Sequence, residues 1–149
     1  MIAPNPGLFI FNQQMSTSKS NSLGKSERLK SSKQIDILFK EGKKITLFPF
    51  RLLYKIEHGP REIQAGFTVS SKNFPVAVDR NRIKRLSREA YRIHNSDLKK
   101  VVADNKKQLH LFFIYTGREI LPYEQISSKL IQVLAKMVRI IYDEAAANT

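Results

Sequence analysis

Apolar residues along this chain recur with two periods, and the switches between them divide it into elements. Ile35, Leu38 and Phe39 share one face at helical spacing between Ser31 and Gly42. Ser31 and Gln34 stand at capping-box distance, and Gly42 is placed to close the C-terminal end. A first helix over about Ser32–Glu41 is therefore predicted. Two β-branched and aromatic segments follow: Ile45–Ile56, with Pro49 marking a bend or an edge, and Glu62–Ser70. His58-Gly59-Pro60-Arg61 between them reads as a turn, so the pair is expected to form an antiparallel hairpin. After Pro75 the period is helical to about His94. Asn95-Ser96-Asp97 can end that helix, or Leu98–Ala103 can continue it. Leu109–Tyr115 is a nearly continuous apolar run, the mark of a strand that is central or buried on both faces, and Gly117 breaks it. From Pro122, Ile126, Leu130, Val133, Leu134, Met137, Val138 and Ile141 repeat at helical spacing to about Asp143. The order α-β-β-α-β-α implies an α+β fold, an α-β sandwich with helices packed on a small sheet.

The N-terminal stretch follows neither period. Met1–Gln14 carries Pro4, Pro6, Gly7 and the short apolar run Leu8–Phe11, without the basic leader and cleavage pattern of a signal peptide. Ser16–Lys25 is rich in Ser, Lys and Asn and reads as a disordered basic lead-in. Met15 is a candidate translation start, and Leu8–Phe11 is apolar enough to dock on the folded part. The expected organisation is a disordered tail over 1–25, one domain over 26–144 and a disordered end over 145–149. No stretch is long and apolar enough to span a bilayer.

Charge changes the reading of the helix after Pro75. Residues 80–92 run Arg-Asn-Arg-Ile-Lys-Arg-Leu-Ser-Arg-Glu-Ala-Tyr-Arg, placing Arg80, Arg82, Lys84, Arg85, Arg88 and Arg92 against the single acid Glu89. Ile83, Leu86, Ala90 and Ile93 fall within an arc of roughly 80°. Arg80, Lys84, Arg88 and Arg92 form a ladder at four-residue intervals, expected on the opposite side. The 149-residue chain carries a formal net charge of +13 with 42% hydrophobic residues, so the excess charge sits on a folded surface. A charge run is more often a plain solvated face. Here its density and single sign make the helix repel itself, and a phosphate backbone is the partner that relieves this. Arginine predominates in the run, which suits bidentate phosphate contacts. Asp79 complements the positive end of the helix. If Leu52 and Tyr54 face one way on the first strand, they line a groove with Phe39. Apolar and aromatic surface beside a cationic helix is how single-stranded segments are held.

Protein-borne catalysis has little to build on. There is no cysteine, which excludes disulfides and cysteine-based zinc sites and fits a reducing compartment. His58, His94 and His110 lie in a turn, at a helix end and in an apolar strand. The acids Asp36, Glu41, Asp79, Glu89, Asp97 and Asp104 are scattered. No pair has the arrangement of a two-metal nuclease, and no Ser or Lys sits in a nucleophile motif. Neither a catalytic nor a metal-ligating set is expected on the protein.

The run Arg80-Asn81-Arg82-Ile83-Lys84-Arg85-Leu86-x-Arg88-Glu89 closely resembles the RNR motif of the bacterial ribonuclease P protein component. Gly66-Phe67-Thr68-Val69-Ser70 with Lys72 looks like that family's G-x-x-V-S-K strand end, and Ala77-Val78 precedes the motif as in the family. Leu29 through Phe39-Lys40-Glu41-Gly42 resembles its opening helix. The likeness covers about Arg28 to Tyr142. It implies a ribosomal protein S5 domain 2-like fold, in which the basic helix is a left-handed βαβ crossover, where the sequence alone would lead to the common right-handed one. It also implies a cytoplasmic subunit of a ribonucleoprotein. The RNA subunit, P RNA, would carry the chemistry with Mg2+, removing the 5′ leader of precursor tRNA, and the protein would bind no cofactor tightly. Carried over by position, Arg80, Asn81, Arg82, Lys84, Arg85, Arg88 and Arg92 form the RNA-binding set, with Asn81 also placed to help bind a metal ion or phosphate. Ile35, Phe39, Leu52, Tyr54 and Lys72 form the leader cleft. Ile35 stands where the family commonly has Phe. The loop Ser71–Val76 is one residue longer than usual, with Ser71 where Lys is typical. The alternatives are a general RNA-binding or ribosome-associated protein on a related fold, and a protein-only nuclease using a histidine.

Overall fold

The computed structural model describes residues 24–59 and 62–147. The expectations for the N-terminal tail to residue 23, for Met15 and Leu8–Phe11, and for Pro60-Arg61 of the turn lie outside the described residues. A short 3-10 turn (Lys25–Glu27) leads into α1 (Ser32–Glu41), β1 (Lys43–Leu47), β2 (Phe50–His58) and β3 (Ile63–Val69). Then come α2 (Ala77–His94), α3 (Ser96–Asp104), β4 (Lys107–Tyr115) and α4 (Tyr123–Ala147). Both caps predicted for α1 form. The Gln34 amide donates to Ser31 Oγ at 3.3 Å, and the Gly42 amide donates to the Leu38 carbonyl at 2.9 Å. A Cβ at residue 42 would sit 2.4 Å from that carbonyl oxygen, so close approach, rather than a left-handed backbone, requires glycine there.

Three expectations change. The single strand Ile45–Ile56 is two strands. Phe48 and Pro49 form a turn, and β1 folds back antiparallel on β2, pairing Lys43 with Tyr54 and Leu47 with Phe50. Proline has no amide to give a ladder, so the bend read at Pro49 is a reversal. Second, β2 and β3 do not form a hairpin. The sheet order is β1-β2-β4-β3, with β4 antiparallel to β2 and parallel to β3. β4 is apolar along nearly its whole length, and it is stabilised by a strand on each side. Third, α4 continues past Glu144 to Ala147, so the fold extends beyond the expected boundary at 144; of the two readings of Asn95-Ser96-Asp97 the ending holds, and Asn95 separates α2 from α3.

Side-chain parity on the strands defines two layers. Leu109, Leu111, Phe113 and Tyr115 of β4 join Phe50, Leu52 and Tyr54 of β2 in the main core, beneath α2, α3 and α4. On the reverse face Phe112 and Leu53 pack with Leu29 and Leu38, flanked by Ile35 and Ile114. The buried side of α2 is Ile83, Ser87, Ala90 and Tyr91. Ile93, expected in that stripe, is instead exposed. Tyr91 packs edge-on against Phe67 and Phe113, each with ring centroids 5.8 Å away, and this contact rotates the helix. Tyr115 fixes the turn out of β4. Its hydroxyl donates to the Glu119 carbonyl at 2.7 Å and accepts from the Leu121 amide at 3.3 Å.

His110 points to the α1 side of β4 and is buried, 3.9 Å from Glu57 Oε1. Burial holds its imidazole below the ordinary value of 6.5; Glu57 and Glu62 oppose that shift, and Lys55 adds to it. Below about pH 6.5 the unfolded chain takes up a proton there that the folded chain resists. Stability should therefore fall as pH drops from 6.5 towards the depressed folded value. The His110→Gln variant should show a flatter pH dependence below about pH 6.5 in urea denaturation. Equal slopes for the two proteins would exclude His110 as the source.

Candidate nucleic-acid interface

The predicted ladder on α2 does not form one uniform row. Asn81, Arg82, Arg85 and Arg88 are exposed, and Lys84 is half-buried. The two ends are tied to the protein. Arg80 Nη1 donates to the carbonyls of Phe74 at 2.8 Å and Pro75 at 2.9 Å. Arg92 is ion-paired with Glu89 one turn back. The physical reason is the stripe just described. With Ser87 and Tyr91 turned inward, the ladder does not stand opposite the core: Arg80, Lys84 and Arg92 are half-buried, and of the four Arg88 alone is exposed. Asp79 lies in the first turn, where its charge complements the helix dipole.

The loop ahead of α2 is held from both sides. Asn73 Nδ2 donates to the carbonyls of Thr116 and Gly117 at 3.4 Å each, and the Phe74 amide donates to the Ser70 carbonyl at 3.0 Å. Arg80 fastens the last part of the loop. Lys72 is exposed on it.

The expected cleft assembles in part. Phe39 of α1 is 57% exposed and stands edge-on to Phe112, with centroids 5.8 Å apart. Ile35 packs beside it, half-buried. Leu52 and Tyr54 do not join them. Both are buried on the opposite face of the sheet, in the main core. The register places Arg51 opposite Ile114, Leu53 opposite Phe112 and Lys55 opposite His110, so the α1 side of β2 carries Arg51, Leu53 and Lys55. Arg51 is exposed. Lys55 reaches Glu41 at the end of α1, at 3.2 Å. The cleft wall is thus Phe39, Phe112 and Ile114, with Arg51 at its side. The parity of β2 carried a signal for this. Residues 51, 53 and 55 alternate charged, apolar, charged, whereas 52, 54 and 56 are apolar throughout, and the half-polar set belongs on the wetter face.

The structure places the three histidines on different elements, His58 on β2, His94 on α2 and His110 on β4. The strand register sets His58 and His110 on opposite faces of the sheet, and His94 Nε2 lies 3.3 Å from Ser127 Oγ at the end of α2. No three His, Asp or Glu side chains come together as a cation site among the described residues. The arrangement presents exposed guanidiniums on one helix and an exposed aromatic ring over a sheet. Such a surface binds phosphates and bases.

Comparison with known proteins agrees with this geometry. The profile of the family described as Ribonuclease P matches residues 23–138. A Porphyromonas gingivalis protein named Ribonuclease P protein component is 30% identical over 128 residues, spanning 85% of this chain and 93% of that protein. One of the same name from Chlorobaculum tepidum is 34% identical over 113 residues, spanning 70% and 73%. The solved RNase P protein from Thermotoga maritima superposes with a TM-score of 0.59 at 26% identity, over 74% of this chain and 96% of that one. The RNase P protein of Staphylococcus aureus, at 23% identity, shares the fold with a TM-score of 0.56 over 78% and 99%.

The two ends of the arginine run should separate in a stability measurement. Arg80→Ala removes two charge-assisted hydrogen bonds that hold the loop before α2, and should lower the unfolding free energy by about 1–2 kcal/mol. Arg82→Ala, on the exposed face, should stay within about 0.5 kcal/mol of the parent. Urea denaturation of both variants checks this. A loss at Arg82 as large as that at Arg80 would contradict it.

Proposed function

Since the chain belongs to the family of ribonuclease P protein components, we propose that it binds the catalytic RNA of ribonuclease P through the outer face of α2. In this reading the cleft beside α1 holds the single-stranded 5′ leader of precursor tRNA. The observation that carries the reading is the exposed set Arg82, Arg85 and Arg88, whose charge is not met by carboxylates on α2 itself, since Glu89 is taken by Arg92. These guanidiniums position RNA by its phosphates. Asn81 stands beside Arg82 and adds a neutral donor and acceptor. Phe39 offers a face on which an unpaired base can stack, and Arg51 a cation for the adjoining phosphate. Leu52 and Tyr54 support the cleft from behind as core residues.

Hydrolysis belongs to the RNA in this proposal, and the Mg2+ it uses is held there. The protein's described residues offer no cluster of donors for it. The protein's part is to bring catalytic RNA and leader together and to screen their mutual repulsion. The proposal places this work in the cytoplasm. No described helix is long and apolar enough to cross a membrane.

Cleavage of precursor tRNA at low Mg2+ tests the assignment. Protein alone should cleave nothing, and protein with bacterial P RNA should release the leader at the mature 5′ end. Cleavage by protein alone would make this a nuclease in its own right. Lack of stimulation with P RNA from the same organism would leave a general RNA-binding protein. The double variant Arg82→Ala/Arg85→Ala should lower the slope of log affinity against log salt for P RNA by about 0.7–0.9 per lost phosphate contact. The Phe39→Ala variant should weaken binding of leader-bearing precursor by about 1–3 kcal/mol, while leaving mature tRNA binding unchanged. An equal loss for both RNAs would remove Phe39 from the leader site.

A further inference from the structure

The loop between β3 and α2 is anchored from several sides, and a cation stands on the part left open to solvent. Its first turn closes on Ser70. The Asn73 amide donates to Ser70 Oγ at 3.4 Å, and the Phe74 amide donates to the Ser70 carbonyl at 3.0 Å. Phe74 is buried, with its ring centroid 6.1 Å from that of Tyr115. The Asn73 side chain donates to the carbonyls of Thr116 and Gly117, just past the end of β4, at 3.4 Å each. Those carbonyls are themselves held in place. The Thr116 amide and hydroxyl both donate to the Pro49 carbonyl, at 2.7 Å and 3.0 Å. A Cβ at residue 117 would stand 3.0 Å from the Tyr115 ring, so glycine lets the chain turn there against it. At the far end of the loop Arg80 Nη1 reaches the carbonyls of Phe74 and Pro75. Ser71 and Lys72 are exposed ahead of these anchors.

The strand register places this loop. Thr68 of β3 pairs with Ile114 of β4, which belongs to the cleft wall. The chain leaves β3 after Val69 and enters α2 at Ala77. The loop therefore runs from the rim of the cleft to the head of the arginine helix, and Lys72 is the cation on it. A lysine on a free loop gives up backbone and rotamer freedom when it grips a phosphate. On a loop already fixed, only the freedom of the side chain is lost. Asn73 and Arg80 do that fixing through main-chain carbonyls. Arg80 is half-buried and engaged there, unlike the exposed Arg82, Arg85 and Arg88.

We propose that Asn73 and Arg80 are positioning residues, which hold Lys72 at the rim of the cleft for a phosphate of the single-stranded leader. The proposal rests on the reading of that cleft as the leader site. It moves Arg80 from the residues that touch RNA to those that place another residue against it.

The test is the salt dependence of precursor-tRNA binding by the holoenzyme of protein and P RNA, measured between about 50 and 200 mM salt with mature tRNA as control. Lys72→Gln should lower the slope of log affinity against log salt by about 0.7, the value for one single-strand phosphate, so the parent's advantage shrinks about 2.6-fold over that range. Asn73→Ala should lower it equally, although asparagine carries no charge, because Lys72 then misses its phosphate. The double variant should lose no more than either single one, and binding of mature tRNA should not change. Arg80→Ala should behave alike, its loss shared with that of Lys72→Gln and not added to it. A merely structural part for Asn73 would lower stability in urea and leave the slope at the parent's value, which would overturn the proposal. A parental slope in Lys72→Gln, or an equal change with mature tRNA, would take the leader phosphate from Lys72 and overturn it too. Additive losses for Arg80→Ala and Lys72→Gln would make Arg80 an RNA contact in its own right. Lys72 is exposed and Asn73 half-buried, so their variants report on binding even if Arg80→Ala loosens the fold. If Phe39→Ala weakens precursor and mature tRNA alike, the leader reading fails before this one.

Discussion

Three rings tie the cationic helix to the sheet. Phe67 of β3 stacks on Phe113 of β4 with centroids 4.9 Å apart and planes 7° from parallel, and Tyr91 of α2 meets both edge-on. The ladder Arg80, Lys84, Arg88, Arg92 contains three like-charge neighbours at four-residue spacing, each costing roughly 0.2–0.5 kcal/mol. Each aromatic pair contributes about 0.5–1.5 kcal/mol beyond the area it buries. Packing therefore outweighs the repulsion, and α2 keeps its charged outer face with a single carboxylate, Glu89, paired to the ladder at Arg92. The ring of Tyr91 also sets the rotation of α2, and so decides which arginines point outward. Its hydroxyl, pushed far above its usual pKa by burial, stays neutral and bonds to the buried Asn95 side chain. Asn95 is where α2 ends and α3 begins.

That rotation explains why the helix was legible in the sequence while its orientation was not. Periodicity located α2 within a residue or two. It also selected Ile93 for the apolar stripe and passed over Tyr91 and Ser87. Tyrosine and serine carry polar atoms, and a hydropathy pattern counts them as surface. What places Tyr91 inside is the pair of rings on β3 and β4, which come from other parts of the chain. Pairing of the strands shows the same limit. The segment of β3 is legible and that of β2 lies merged with β1, but their neighbour in the sheet is set by β4, which follows them by a whole crossover. Its nearly continuous apolar run marks a strand that is central or buried on both faces, but not which strands flank it.

The binding surfaces divide along the same line. The arginine run is contiguous, so a local pattern exposes it, and the resemblance to a known motif names its role. The cleft depends on which parity of β2 faces α1, and a slip of one residue exchanges every candidate. Leu52 and Leu53 are adjacent and both buried, so burial alone does not distinguish the faces. The charged flanks Arg51 and Lys55 do. The contact of Arg28 and Leu29 with β3 had no local signal. It exists because Gly66 lets the segment before α1 lie against β3, and nothing in the spacing of residues 28 and 66 announces that contact.

The two surfaces lie on opposite sides of the sheet. Phe39 and Phe112 stand on the α1 side, and α2 packs on the other through Ile83, Ala90 and Tyr91. Exposed charges on the two sides lie farther apart than the screening length of about 8–10 Å at physiological salt, so a polyanion on one side gains little from cations on the other. The two faces communicate around an edge. Lys55 of β2 is drawn to Glu41 and Lys107 of β4 to Glu144, at 3.2 Å and 3.7 Å. At the β3 edge the segment Arg28–Lys30 crosses from the α1 side and faces Arg85 and Arg88 on α2. Cations from two segments therefore meet at that edge, where the α1 side of the sheet passes over to the side that carries α2.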